Sequence, residues 1–313
     1  MQDYPGDYEL LFAVASPEDP VCKTVRRLME RYRKRQAELI ICQPILGANA
    51  KVSSLCYLEK RAHYEHLVLA DQDVLVEKDF LLNLVPSLTQ PDVGLVNCFY
   101  IMAGVRGLPM RIEALGVNAD FWSHVLQGNM LKPMHFALGA VIGTTKSRMK
   151  AINGFEALLD YLADDYELGN RIAKTGARVE ICPFPVECRS APQGARSVWR
   201  HQLRWARTIR VCQPAPYFFS ILSNGTLWPF LAFISHRSLG LVCFASALLV
   251  RVATASSNYN RLTERNGWRA GLLAPMKDLI QVGIWASAFF GDKITWRGER
   301  FRVDRGGKLT PAA

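Results

Sequence analysis

The spacing of apolar and polar positions divides this chain into two regimes. From about residue 9 to residue 182, short apolar runs alternate with amphipathic stretches, the pattern of strands and helices in an α/β sheet. Glu9 to Ala15 (ELLFAVA) reads as a buried strand, and the following helix places Val21, Val25, Leu28, Met29 and Tyr32 on one face. Leu39 to Ile45 predicts the next strand, and Gly47-Ala48-Asn49-Ala50-Lys51 a glycine turn into a helix that runs to about Arg61. His66 to Ala70 reads as a strand, Glu77 to Leu88 as a helix, Val93 to Ile101 as a strand and Arg111 to Gln127 as a helix. His135 to Thr145 (HFALGAVIGTT) is apolar with small residues and suits a strand or hairpin packed closely on a ligand or backbone. Ser147 can cap a short helix ending at Gly154, and the stretch from Asp160 opens a helix that stops near Gly176.

The second regime begins with a basic helix, Ser197 to Cys212 (SVWRHQLRWARTIRVC), in which Arg200, Arg204 and Arg207 share a face. As plain structure it is a solvated or lipid-headgroup-facing helix. Tyr217 to Ser235 then runs nineteen residues without a charge, long enough to cross a bilayer, although Asn224-Gly225 and Pro229 can break it. Ser238 to Val250 stays apolar up to Arg251, and Leu272 to Phe290, which carries Lys277, Asp278 and Gln281, reads as an interfacial helix. The tail from Lys293 to Lys308 is basic, like the helix ending at Arg210. Placing both on one side of a membrane leaves an even number of crossings between them. A two-span or re-entrant hairpin from 217 to about 255 meets that condition; a buried pair of core helices is the soluble alternative. These shifts predict a catalytic α/β domain over 1–212, hydrophobic helices over 213–292 and a basic tail over 293–313.

Composition sharpens the picture. The net charge of +10 over 313 residues calls for an anionic partner: a nucleotide diphosphate, a nucleic acid or an acidic membrane face. The charge gathers beside apolar segments rather than in a soluble aromatic and basic stripe, which argues against nucleic acid. The eight cysteines form no Cys-x-x-Cys pair and sit among apolar neighbours, so they read as reduced buried thiols of a cytosolic domain rather than zinc ligands.

The candidate chemistry centres on Asp71-Gln72-Asp73, directly after the strand at His66. Ligands of open α/β sheets bind at the carboxyl ends of strands. Two carboxylates one residue apart on an extended chain point to the same side and can share a hard cation with phosphate oxygens. As plain structure, the same residues cap a strand and open a turn. Lys51 can bring an ammonium to phosphate. Asp164 and Asp165 open a helix, where the macrodipole favours acids; as chemistry, one of them is a general base near the metal. Asp19 before Pro20 reads first as a helix cap.

Together these residues carry a resemblance. Asp19-Pro20, Gly47-x-Asn49-x-Lys51-Val52, Asp71-Gln72-Asp73, Ala163-Asp164-Asp165-Tyr166, Arg204-Trp205 and Thr295-Trp296-Arg297-Gly298 occur in the order seen in the ceramide glucosyltransferase family, glycosyltransferase family 21. They look most like its bacterial members, which include hopanoid-biosynthesis glycosyltransferases, and the resemblance runs over nearly the whole chain. It implies a GT-A catalytic domain with a Rossmann-like sheet, followed by membrane-associated helices, on the cytoplasmic face of a bacterial inner membrane. It also implies inverting transfer from a UDP-sugar, UDP-glucose or UDP-N-acetylglucosamine, to a lipid hydroxyl of the ceramide or hopanoid type. Carried across, Asp71 and Asp73 hold Mg²⁺ or Mn²⁺, and Asp165 is the catalytic base. Asp19, Asn49, Lys51, Asp164, His201, Gln202, Arg204 and Trp205 bind substrate. The family has Gln or Arg three places before Arg-Trp; here that place is His201, with Gln202 one residue later. The resemblance further implies that Met1 falls inside the catalytic domain, without its first strand or the membrane helix ahead of it, leaving a bare strand edge. A non-catalytic, membrane-associated truncated relative is therefore the competing expectation, ahead of a nucleic-acid enzyme.

Overall fold

The computed structural model describes residues 2–296 and 299–312. The first strand, β1 (Glu9–Val14), leads into helix α1 (Val21–Arg31) and strand β2 (Gln36–Ile41), which pairs with β1 in parallel. β2 lies earlier than its apolar run suggests: Pro44 has no amide hydrogen for a ladder, and the strand ends at Ile41. After α2 (Ala50–Arg61) come β3 (His66–Ala70), the short β4 (Val74–Leu75), α3 (Phe80–Leu88) and the long β5 (Val93–Met102). The helix expected over 111–127 is three pieces: α4 (Leu108–Leu115), a π-helical turn (Gly116–Phe121) and α5 (Trp122–Leu131). Strand β6 (Val141–Thr145) is shorter than the apolar run containing it, and α6 (Lys146–Ala151) is capped by the Thr145 hydroxyl rather than Ser147. Helix α7 (Asp164–Lys174) and strand β7 (Arg178–Cys188) complete the sheet region.

The five-stranded sheet has the order β3-β6-β5-β7-β4, with β5 and β7 parallel and β6 antiparallel to both β3 and β5. β5 is buried on both faces from Val93 to Cys98, as a central strand flanked by helices must be. One core lies between sheet and helices on the α2 and α7 side (Val52, Leu95, Met149, Leu168, Ile172) and another under α3 (Leu84, Val96, Val141). The β1–β2 pair stands as its own two-stranded sheet. Among the described residues, β1 and β3 each have one edge with no strand beside it.

Beyond the sheet, α8 (Ala195–Cys212) is followed by α9 (Pro214–Phe219), α10 (Leu227–Ser235) and the long α11 (Arg237–Thr263). The break expected at Asn224-Gly225 is present: the Asn224 side chain accepts from the amides of Thr226 and Leu227, and the segments on either side bend by 52°. α11 does not stop at Arg251, because that guanidinium has buried carboxylate partners in Asp120 and Asp278. The last apolar segment forms α12 (Trp268–Gly271) and α13 (Ala274–Ser287). Its Lys277 and Asp278 face inward and are buried, so the charges that suggest a surface helix are core charges.

The basic tail folds into an antiparallel sheet of β8 (Lys293–Trp296), β9 (Glu299–Val303) and β10 (Leu309–Pro311). The sheet packs Ile294, Val303 and Leu309 against Leu162 and Val211, bringing the tail onto the catalytic half. Arg297 and Gly298 of the late motif lie outside the described residues.

Candidate active site

The site is assembled where β3 ends and where α2 and α7 begin. Asn49 caps α2: its side-chain oxygen accepts from the amides of Lys51 at 3.0 Å and Val52 at 3.1 Å. Its amide nitrogen donates to the Tyr161 carbonyl at 2.8 Å and to Asp164 Oδ1 at 3.2 Å. Asn49 is fully buried, so this one side chain fixes the start of α2 against the start of α7. Gly47 brings the turn in closely: a Cβ there would lie 2.7 Å from Leu159 Cβ and 2.9 Å from its carbonyl oxygen. The cap directs Lys51 into the acidic cluster, where its ammonium is 2.8 Å from Asp71 Oδ1 and 3.6 Å from Asp164 Oδ2.

Asp71 follows the last residue of β3, and its amide donates to the Ala140 carbonyl at 3.0 Å. Asp73, two residues on and exposed, lies by β7: its carbonyl accepts from the Arg189 amide and its carboxylate from the Ser190 hydroxyl at 3.5 Å. Asp165 sits one residue past Asp164 in the first turn of α7, its Oδ1 accepting from the Tyr166 amide at 2.8 Å. Gly139 is the close neighbour of this carboxylate; a Cβ there would lie 2.7 Å from Asp165 Oδ2. The close approach here is to a side chain, where the small residues between His135 and Thr145 suggest a ligand or backbone.

The electrostatics follow from crowding. Burial, reinforced by the charge of Asp164, raises the Asp165 carboxyl from 3.8 to about 6. Burial also pushes Asp71 upward, against the pull of Lys51. Burial alone would lower Lys51, but Asp164 and Asp71 overcome it and hold the ammonium well above its ordinary range. Three carboxylates, Asp71, Asp164 and Asp165, thus act on one resident cation, with Asp73 beside Asp71.

That surplus of negative, hard oxygen ligands fits a divalent cation such as Mg²⁺ or Mn²⁺, which takes oxygen donors. Asp71, paired with Lys51, and the exposed Asp73 are the residues that the resemblance implies as its ligands. Among the described residues no group of three or more His, Cys, Asp or Glu is poised for a metal, so its remaining ligands would come from a diphosphate or water.

Other expected site residues lie elsewhere. Asp19 is exposed and accepts from the Val21 amide at 2.9 Å, which is the capping role; none of its hydrogen bonds reaches the acidic cluster. His201 Nδ1 and Gln202 Nε2 both meet Glu113 Oε1, at 2.7 and 2.8 Å, and the His201 ring lies 4.6 Å from that of Trp205. Arg204 is half-buried on the same helix. Arg207, on the expected basic face, donates to the Phe290 and Lys293 carbonyls and so ties α8 to the tail instead of facing lipid headgroups.

Sequence reasoning missed Glu113. Its signal was one carboxylate in a helix that is apolar apart from it and Arg111 (LPMRIEAL), and the carboxylate is almost completely buried against His201 and Gln202. Tyr166 was also undervalued: it stacks on Phe136, its hydroxyl accepts from Gln213, and it lines a cleft of about 170 Å³ with Tyr161, Asn170, Cys212, Arg305 and Gly307.

A sequence model described as glycosyl transferase family 21 matches residues 1–309. The chain belongs to glycosyl transferase family 21. Among curated relatives, this family 21 chain is 21% identical over 317 residues to ceramide glucosyltransferase 3 of Caenorhabditis elegans, covering 97% of this chain and 68% of that protein. It is 21% identical to ceramide glucosyltransferase 1 of the same organism over 322 residues, covering 96% and 66%. The chain thus spans about two thirds of the length of these relatives. Among solved structures, the mannosyltransferase PcManGT from Pyrobaculum calidifontis, in complex with GDP-Man and Mn²⁺, aligns with a TM-score of 0.52 at 20% identity, over 92% of this chain and 80% of that one. This likeness speaks for the fold, which is the GT-A fold of nucleotide-sugar transferases. The family 21 chain is a glycosyltransferase by membership, and the acidic cluster is where its chemistry is sought.

Proposed function

We propose that this family 21 chain is a metal-dependent, inverting transferase that moves a hexose or N-acetylhexosamine from a UDP-sugar to the hydroxyl of a ceramide- or hopanoid-type lipid. The observation that carries the reading is Asp165, a carboxylate raised to about 6 beside Asp71, Asp164 and Lys51. Inverting transfer is one displacement in which the acceptor hydroxyl must lose its proton as the diphosphate leaves. A carboxylate near 6 is ionised at neutral pH, yet a better proton acceptor than an ordinary aspartate, and it fits the base. Lys51 sits where it can exchange carboxylate for phosphate oxygens. Asp71 and Asp73 would hold the cation, which neutralises charge developing on the leaving group. Asn49 holds the start of α2, with Lys51, against the acidic start of α7. His201, Gln202, Arg204 and Trp205 on α8 serve the diphosphate and acceptor side, with Glu113 fixing the first two.

A lipid acceptor is supported by the apolar surface beside the catalytic half: Phe218, Phe219, Leu222, Ile234, Leu241, Val242, Leu249 and Val250 are all more than half exposed. By length and composition one helix, Gly240–Thr263, is long and apolar enough to cross a membrane. The tail sheet and α8 both pack on the catalytic half, in keeping with an even number of crossings between them and with catalysis on the cytoplasmic face of a bacterial inner membrane. The test is UDP release by the detergent-solubilised protein with UDP-glucose or UDP-N-acetylglucosamine, Mn²⁺ and mixed lipid extract, beside Asp165→Asn. Lipid-dependent release that vanishes in the variant is expected; equal release by both proteins refutes the role of Asp165. Metal-dependent UDP binding would count against the alternative, a non-catalytic membrane-associated relative.

A further inference from the structure

The outward face of α11 changes character at one residue. Before it, Leu241, Val242, Leu249 and Val250 are exposed, each by more than half, and they continue the exposed Trp228, Phe230, Leu231 and Ile234 of α10. After it, the exposed positions are Ala253, Thr254, Ser257, Asn260 and Arg261, while Ala255 on the inner face is buried against Leu115, Ala119 and Ala274. The residue between is Arg251. Its guanidinium donates to Asp278 Oδ2 at 2.7 Å, Asp278 Oδ1 at 2.8 Å and Asp120 Oδ2 at 2.8 Å. Lys277 completes the group, 2.5 Å from Asp120 and 3.0 Å from Asp278, and the Thr226 hydroxyl donates to Asp278. Two cations and two carboxylates therefore close the base of the α10–α11 hairpin and bind it to the π-helical turn and α13.

These facts shorten the apolar reach. Of the 24 residues that pass for a span, the exposed large apolar side chains all fall within Gly240–Val250; beyond Arg251 the outward face is polar or small and only the inner face packs, on the π-helical turn, α12 and α13. Eleven helical residues rise about 16 Å, roughly half of the ~30 Å hydrocarbon core of a bilayer. The other leg starts at the same level, since Gly225 packs against the Arg251 side chain, and its helix Leu227–Ser235 has nine residues, about 14 Å. The turn joining the legs, Ser235-His236-Arg237-Ser238, is polar in sequence. Standing upright, a hairpin of this length would leave that turn near the bilayer centre, where a charged side chain costs about 3 kcal/mol or more.

Building on the membrane reading above, we propose that α10 and α11 form a hairpin that enters one leaflet only. It lies obliquely, with its charged base and its polar turn both in the headgroup layer on the catalytic side. The partner is the acyl-chain region of that single leaflet, and a lipid acceptor is drawn from it.

Cys243 is exposed on the apolar stretch of α11 and provides the handle. The protein carrying Cys243→Ser and Ser235→Cys is treated with a membrane-impermeant maleimide in inverted and in right-side-out membrane vesicles. Lys23→Cys in the Cys243→Ser background marks the catalytic side. The expected result is labelling at Ser235→Cys from the same face as the Lys23→Cys control and loss of labelling from the other. Labelling from the opposite face only, or from neither, overturns the one-leaflet hairpin. The underlying membrane reading has its own arm: in the native protein Cys243 should be protected in vesicles and react after detergent. Equal reaction in both defeats that reading, whatever Ser235→Cys does.

Discussion

Asp165→Asn should make the protein more stable at neutral and alkaline pH while abolishing transfer. In the unfolded chain this carboxyl titrates near its ordinary 3.8, and in the fold near about 6, because burial and the adjacent Asp164 disfavour its charge. The folded state therefore holds the proton more tightly. The group favours folding fully below about pH 4, and this contribution is lost as pH rises through about 6. A gap of about two pH units corresponds to about 3 kcal/mol of strain at pH 8, a ceiling because Asp165 keeps partial exposure. Asparagine is neutral at every pH, has the same shape, and keeps an oxygen for the Tyr166 amide. Thermal unfolding in one detergent across pH 4.5 to 8.5 reads the difference. The variant should melt higher by about 5–8 °C at pH 8, with the gap closing as the pH falls toward about 4. A variant that melts at or below the parent at pH 8, with no pH-dependent gap, refutes the crowding described here.

Four further outcomes follow from the same geometry. The rate of UDP release should fall on the acid side with a midpoint near 6, as protonation removes the base at Asp165; a profile flat down to pH 5 would speak against that assignment. Asp73→Asn should raise the Mn²⁺ concentration for half-maximal release by about tenfold or more, since it removes one of the two carboxylates proposed to hold the cation; an unchanged metal titration removes Asp73 from the site. Asn49→Ala loses a double cap and leaves the Tyr161 carbonyl without its partner. It should cost about 2 kcal/mol, read as a melting point several degrees lower. Arg251→Leu strands Asp120 and Asp278 and should cost about 3–5 kcal/mol, part of which Asp278→Asn in the same chain restores; additive losses would mean the two residues do not interact.

How far the fold could be read from the chain depended on whether each residue's partners were local. The strand before Asp71 and the glycine turn that opens the helix ending at Arg61 announce themselves over a few neighbouring residues, and both are where the pattern puts them. The bend at Asn224-Gly225 was legible for the same reason. What escaped were residues whose environment comes from far along the chain. Arg251 reads as the end of an apolar helix until Asp120 and Asp278 are brought to it, from 131 and 27 residues away. Glu113 is an ordinary helical acid until α8 lays His201 and Gln202 on it. The tail reads as a basic extension because Lys293, Arg300 and Arg302 hide the alternation of Ile294, Phe301 and Val303, which is a strand pattern. In the acidic cluster, the residue types were readable but their balance was not. Lys51, expected at phosphate, is paired with two of the carboxylates.

The loop that presents the acidic residues has a partner very late in the chain. The Leu309 amide donates to the Asp160 carbonyl, and the Leu162 amide to the carbonyl of Gly307, so the tail sheet and the loop just ahead of Asp164 share a short ladder. About 150 residues of intervening chain, including α10 and α11, must be synthesised before that ladder can close. Such a contact carries a high loop-closure cost and forms late on the ribosome. A nascent chain halted before residue 307 would hold its acidic cluster without this brace, so the loop ahead of Asp164 gains its last support only after α10 and α11 have been made.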